Sequence, residues 1–178
     1  MDIYFSGSIR GGRQDVEVYQ RVIKLLQQYG AVLTENNFKA GGGGDDEKDL
    51  DDREIHDRCM AWLEQAEVVV AEVTQPSLGV GYEIAQAVGM DKRILCLFRE
   101  STGKKLSAMI RGCDNEDTII VKDYKEADLP AILQEFFTSV QAEAEGDDGD
   151  EGEEDIEGEE VDEEEGAGEE EEDEDDGE

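Results

Sequence analysis

Histidine occurs once in the 178 residues, tryptophan once, proline twice and cysteine three times. Basic residues are also few: 16 Lys and Arg stand against 50 Asp and Glu, for a net charge of −34. Each scarcity removes a class of protein. A single histidine, His56, leaves no histidine-rich metal site, and nothing places a serine beside it for a nucleophile–histidine–acid triad. Cys59, Cys96 and Cys113 form no CxxC pair and no metal-ligand spacing, and an odd, sparse set of thiols suits a reducing compartment. So large an acidic surplus opposes binding to a nucleic-acid polymer or an anionic membrane surface. No apolar run approaches the roughly 18 residues of a membrane span. Met1-Asp2-Ile3-Tyr4-Phe5 enters a strand-like segment directly, without a signal or transit pattern. The expectation is a soluble intracellular protein, cytoplasmic or nuclear.

The charge that is present is unevenly placed. Residues 141–178 carry 25 of the acids and no Lys or Arg, leaving −9 for residues 1–140. This divides the chain into a globular domain over 1–140, long enough to bury a sizeable core, and an acidic tail over 141–178 expected to be disordered. A second low-complexity stretch, Ala40-Gly41-Gly42-Gly43-Gly44-Asp45-Asp46, reads as a flexible loop.

Within 1–140, strand-like and helical patterns alternate. Strands are expected at Ile3–Gly7, Ala31–Glu35, Val68–Val73, Ile94–Phe98 and Thr118–Val121, and helices over 14–29, 47–65, 79–90, 106–112 and 129–140. Val68-Val69-Val70-Ala71, Ile94-Leu95-Cys96-Leu97-Phe98 and Ile119-Ile120-Val121 are continuously apolar, the signature of strands covered on both faces. Five such strands with intervening helices predict an α/β fold: a doubly wound, mainly parallel, three-layer sheet of Rossmann or flavodoxin type. In that architecture ligands bind beyond the carboxyl ends of the strands, so the loops there hold the candidate residues.

The first such loop is Gly7-Ser8-Ile9-Arg10-Gly11-Gly12, followed by a helix, with Arg10 and Arg13 as guanidinium donors suited to phosphate. It is neither GxGxxG nor a Walker loop, which disfavours a dehydrogenase or a P-loop NTPase. On these residues alone it also reads as a glycine-rich turn bearing surface arginines. After the third strand come Ser77, Gly79 and Glu83, with Glu83 expected in the first turn of a helix whose dipole favours the ionised carboxylate. Ser107 and Arg111, with Met109 and Ile110 between them, offer phosphate donors and packing groups, though a capping serine with core residues fits the same composition. The eight acids of 45–57 read as a solvated helix face.

Four segments, Ile3 to Arg13, Ala71 to Glu83, Lys92 to Arg99 and Leu106 to Gly112, together resemble the 2′-deoxynucleoside 5′-phosphate N-hydrolase family, within the nucleoside 2-deoxyribosyltransferase superfamily. The resemblance runs over about residues 3–138 and excludes the tail. It implies hydrolysis of the N-glycosidic bond of a deoxynucleoside 5′-monophosphate to free base and 2-deoxyribose 5-phosphate, with no cofactor and no metal. By the same resemblance Glu83 is the nucleophile and Tyr4 orients it. Gly7, Ser8, Ile9, Arg10 and Gly11, with Ser77 and Gly79, hold the 5′-phosphate. The resemblance further implies a homodimer in which Ser107, and with it Met109, acts in trans.

One position departs from the family pattern. Where the family has an aspartate three residues after the histidine, helping to protonate the leaving base, Ile55-His56-Asp57-Arg58-Cys59 places Cys59. A thiol does not reproduce a carboxylate, and Asp57 falls on another helix face. The departure leaves three outcomes: weakened turnover, water or His56 in part of the role, or a changed base preference. Two alternative functions therefore stand beside the hydrolase: a deoxynucleotide-binding module with little catalysis, and an adaptor for basic proteins working through the acidic tail.

Overall fold

The computed structural model describes residues 1–10, 14–39 and 49–146. Gly11, Gly12 and Arg13, the glycine-rich 40–46 loop and the tail from residue 147 lie outside the described residues. Five parallel strands, β1 (Asp2–Ser6), β2 (Ala31–Val32), β3 (Val68–Glu72), β4 (Arg93–Arg99) and β5 (Ile119–Tyr124), stand in the order β2-β1-β3-β4-β5. The expected doubly wound α/β fold is present, in its flavodoxin-like order.

Period-two alternation divides the strand side chains between two layers. Ile3, Phe5, Val68, Val70, Leu95 and Leu97 pack with helices α1 (Val16–Leu26) and α5 (Leu129–Gly146). Tyr4, Val69, Ala71, Ile94, Cys96 and Phe98 pack on the opposite face with α2 (Asp52–Gln65), α3 (Leu78–Gly89) and the single turn α4 (Ala108–Arg111). All five β3 residues are buried, the four of the apolar run Val68-Val69-Val70-Ala71 and Glu72 after them. Each fully buried Val, Leu or Ile contributes roughly 1.5–3 kcal/mol relative to its exposed state, so this double layer is the main support of the site above it.

Local chemistry sets the helix ends. Asp51 caps α2 by accepting from the Glu54 backbone N–H, while the Glu54 side chain accepts from the Asp51 N–H. Ser77 caps α3 by accepting from the Val80 N–H. At the other end of the chain, α5 runs to Gly146, past the expected helix end at 140.

Strand β2 is shorter than expected. Leu33 continues its apolar run, but the Thr34 hydroxyl donates to the Phe5 carbonyl and accepts from the Phe5 N–H. A side chain thereby takes over the ladder positions beside β1, and the backbone turns into a 3-10 turn over Glu35–Phe38.

Candidate active site

The register of β1 on β3 pairs Ser6 with Ala71, so both strands end at the same level. β1 is flanked by β2 on one side and β3 on the other, and the chain reverses its winding direction there. A cavity of about 490 Å³ opens at this switch point. Tyr4, Gly7, Ile9 and Arg10 reach it from β1 and the following loop, Ile55 and Cys59 from α2, and Ser77, Gly79 and Glu83 from the start of α3. Eight of the residues singled out in the sequence thus share one cavity: Tyr4, Gly7, Ile9, Arg10, Cys59, Ser77, Gly79 and Glu83.

Its polar centre is Glu83. The Ser6 hydroxyl donates a short hydrogen bond to its carboxylate. Burial raises the Glu83 pKa above the ordinary carboxylate value, against hydrogen bonds from Ser6 and Tyr4 that favour the anion. Tyr4 is 1% exposed and faces both Glu83 and Cys59. Burial and the neighbouring Glu83 charge push its pKa far up, so it stays a neutral phenol and a donor. The helix dipole plays a smaller part than the sequence suggests. Because Ser77 is the cap, α3 begins at Leu78 and Glu83 falls in its second turn, not its first. Burial is the largest influence raising its proton affinity.

The start of α3 leaves polar groups open toward the cavity. The Ser77 hydroxyl accepts from Val80 and retains its own proton, and the first backbone N–H groups of a helix have no intrahelical partner. A Cβ added at Gly79 would meet only the Ser77 hydroxyl, at 3.8 Å, so a ligand can approach the backbone there. Gly7 has the opposite reason to be small: a Cβ would lie 3.1–3.3 Å from the rings of Phe38, Tyr19 and Phe5. Arg10, at the cavity mouth, holds an exposed ion pair at 3.0 Å with Asp52 in the first turn of α2.

Not every expected residue joins this cavity. Ser8 is fully buried and does not line it; its backbone N–H donates to the Tyr19 hydroxyl at 3.3 Å. Gly11 lies outside the described residues. Ser107 lines a second cavity of about 360 Å³ on the other flank of the α3 start, and Met109 is 82% exposed nearby. Ser77, Leu78 and Val80 form the wall common to both cavities. Arg111 pairs with Asp123 at 2.5 Å and lies over the Phe98 ring, away from the main cavity. His56 bonds Asp57 and the Tyr82 hydroxyl and does not line the cavity beside Cys59.

Several lining residues escape sequence reasoning. Asn37 and Phe38 arrive from the turn that Thr34 creates, for which no local signal exists. Ser6 was missed as well, although a signal exists: it stands two residues after Tyr4, on the same strand face and at the strand end. Among the described residues, no group of three or more His, Cys, Asp and Glu side chains is gathered for a metal ion.

The chain is similar to several known proteins. A sequence model for a family described as nucleoside 2-deoxyribosyltransferase matches residues 3–123. A 5-hydroxymethyl-dUMP N-hydrolase of Danio rerio is 56% identical over 141 residues, covering 79% of this chain and 98% of its own length. The Homo sapiens protein of the same name is 52% identical over 136 residues, covering 76% and 78%. A solved structure titled as a CMP N-glycosidase of Clostridium botulinum superposes with a TM-score of 0.51 at 14% identity, covering 80% of this chain and 99% of that one, a likeness of fold alone.

Proposed function

The chain belongs to the nucleoside 2-deoxyribosyltransferase family, and from this premise we propose that it hydrolyses the N-glycosidic bond of 2′-deoxynucleoside 5′-monophosphates. The products are the free base and 2-deoxyribose 5-phosphate. The observation that carries this reading is the buried Glu83 carboxylate, held by Ser6 and Tyr4 beside an open helix N-terminus in one cavity.

A mechanism follows from these groups. The 5′-phosphate sits on the Gly79 backbone and the Ser77 hydroxyl, with Arg10 at the mouth, which directs C1′ of the sugar toward Glu83. Without a 2′-hydroxyl, the sugar reaches an oxocarbenium-like transition state more readily. A Glu83 oxygen bonds to C1′ as the C1′–N bond breaks, and the bonding pair leaves with the base, which takes a proton from water. A second water then attacks C1′, releases its proton to solvent and restores the Glu83 carboxylate, as in retaining glycosidases. Tyr4 and Ser6 keep the carboxylate aimed throughout. Relatives named for 5-hydroxymethyl-dUMP make that nucleotide the first substrate to test.

The exposed apolar side chains Leu78, Tyr82, Val88 and Met109 all lie on α3 and α4. A second copy of the chain covering this face is the proposed assembly, with Ser107 and Met109 directed to the partner's phosphate. The three cysteines, none in a disulfide, suit the cytoplasm or nucleus.

Incubating the full chain with 5-hydroxymethyl-dUMP and the common deoxynucleotides, and following free base by chromatography, tests the reading. Base release lost in Glu83→Ala supports it; no release above that control overturns it. One observation favours a second reading, a binding module without turnover: Cys59 occupies the cavity wall beside Tyr4 where the leaving base needs an acid. Saturable nucleotide binding by calorimetry without base release would select that reading.

A further inference from the structure

Beneath the anion-binding loops lies a buried charged network that the mechanism does not use. Glu72, at the end of β3, is 0% exposed. It accepts from the Thr74 hydroxyl and N–H, from the Tyr124 hydroxyl at 3.0 Å and from Arg99 Nε at 3.2 Å. Arg99, at the end of β4, is 11% exposed and reaches Asp15 with Nη2 at 2.7 Å. Its backbone N–H donates to the Thr74 hydroxyl at 2.9 Å. Buried ion pairs of this kind carry a large desolvation cost and are weak sources of stability, so their presence at a functional sheet edge calls for another role.

The position of each partner supplies one. Asp15 ends the segment that leaves β1 and leads into α1. Ser8, at the start of that segment, is fixed by its N–H bond to the Tyr19 hydroxyl, and Tyr19 feels the charges of Glu72 and Asp15. Thr74 begins the segment that leaves β3 and leads to Ser77. Gln14 and Gln75 join the two segments directly, at 2.5 Å. Arg99 therefore touches one end of each segment from below, and lines neither cavity.

We propose that Arg99 is a positioning residue for the phosphate subsite, fixing through Asp15 on one side and Glu72 and Thr74 on the other the separation of the start of α1 from the turn that leads to Ser77. Its planar guanidinium bridges two carboxylates at once, which a lysine ammonium on a flexible stem does not reproduce. The identity of the anion rests on the deoxynucleotide reading; the positioning role does not.

The experiment compares the full chain with its Arg99→Met, Arg99→Lys and Asp15→Asn variants. Binding of 2-deoxyribose 5-phosphate is read by calorimetry, and KM and kcat are read for 5-hydroxymethyl-dUMP. Asp15→Asn leaves the Arg99–Glu72 pair intact and keeps the test open if Arg99→Met fails to fold. The expected result is weaker sugar-phosphate binding, by about 10-fold for Arg99→Met and less for Arg99→Lys and Asp15→Asn, in line with the cost of loosening a binding group by a fraction of an ångström. KM should rise in step while kcat stays within about twofold, the signature of lost uniform binding. Unchanged binding by folded Asp15→Asn, or a fall in kcat with KM constant, overturns the proposal. A wild type that binds the sugar phosphate but releases no base overturns the hydrolase reading and, if the variants bind more weakly, upholds this one; a wild type that binds no sugar phosphate overturns it.

Discussion

The Ser6 hydroxyl donates to the Glu83 carboxylate, joining the last residue of a strand to the second turn of a helix 77 residues further along the chain. That bond opposes the rise in proton affinity that burial imposes on the carboxylate.

Ser6→Ala removes a donor that favours the Glu83 anion. Because burial already raises the Glu83 pKa and the Ser6 bond opposes that rise, its loss moves the pKa higher still. In the proposed mechanism the ionised form is the nucleophile, so kcat/KM should climb with pH along an acid limb above the usual carboxylate range. In Ser6→Ala this limb shifts to higher pH, and the plateau falls about 10-fold, the cost of one hydrogen bond to a charged group. A pH–rate profile of both proteins measures it.

Glu83→Gln should be inactive but more stable at alkaline pH. A carboxylate whose folded pKa lies above its unfolded value binds its proton more tightly when folded. Its contribution to stability is full below the unfolded pKa and lost as pH rises through the raised folded value. The neutral amide escapes that loss. Thermal unfolding across pH 4–9 should show the variant gaining on the wild type as pH rises, with the two curves approaching each other near pH 4; a gain of about 1 kcal/mol corresponds to roughly 2–4 °C at this size.

Cys59→Asp returns a carboxyl group to the wall facing Tyr4. Assistance to the leaving base is typically worth about 10²–10⁴-fold, so base release should accelerate by about 100-fold where departure of the base limits the rate. The new charge also lies near Glu83, and the acid limb moves to higher pH. Single-turnover kinetics of the two proteins separate the effects.

Asp52→Asn frees Arg10 from its carboxylate partner at the cavity mouth. The KM for a deoxynucleotide should fall by about two- to fivefold, the size of an exposed ion pair, with kcat unchanged. The gain should shrink as salt rises, because screening already weakens the native pair.

Much of this was legible in the sequence, for physical reasons that can be stated residue by residue. Continuous apolar runs at 68–71, 94–98 and 119–121 marked strands buried on both faces, and the rule that ligands gather beyond strand ends led to Ser77, Gly79 and Glu83. Less legible were features fixed by contacts distant in sequence. Thr34 shortens β2 through bonds to Phe5, 29 residues away, and so delivers Asn37 and Phe38 to the cavity. Arg111 looked like a phosphate donor until Asp123, on the neighbouring strand, took its charge. Ser8, expected to hold the phosphate, is fully buried, and its hydroxyl has no hydrogen-bond partner among the described residues. Glu83 was found by its place in the order of loops, while its elevated proton affinity came from a burial that no local pattern encodes.

The shortened β2 bears on more than the site. A sheet edge invites association in proportion to the length of unpaired backbone it displays. Here the outermost strand is two residues long, and beyond it the Thr34 hydroxyl already occupies the Phe5 N–H and carbonyl. A foreign strand finds almost no template on that side, so a single threonine that shapes the pocket also guards the fold against edge-to-edge aggregation.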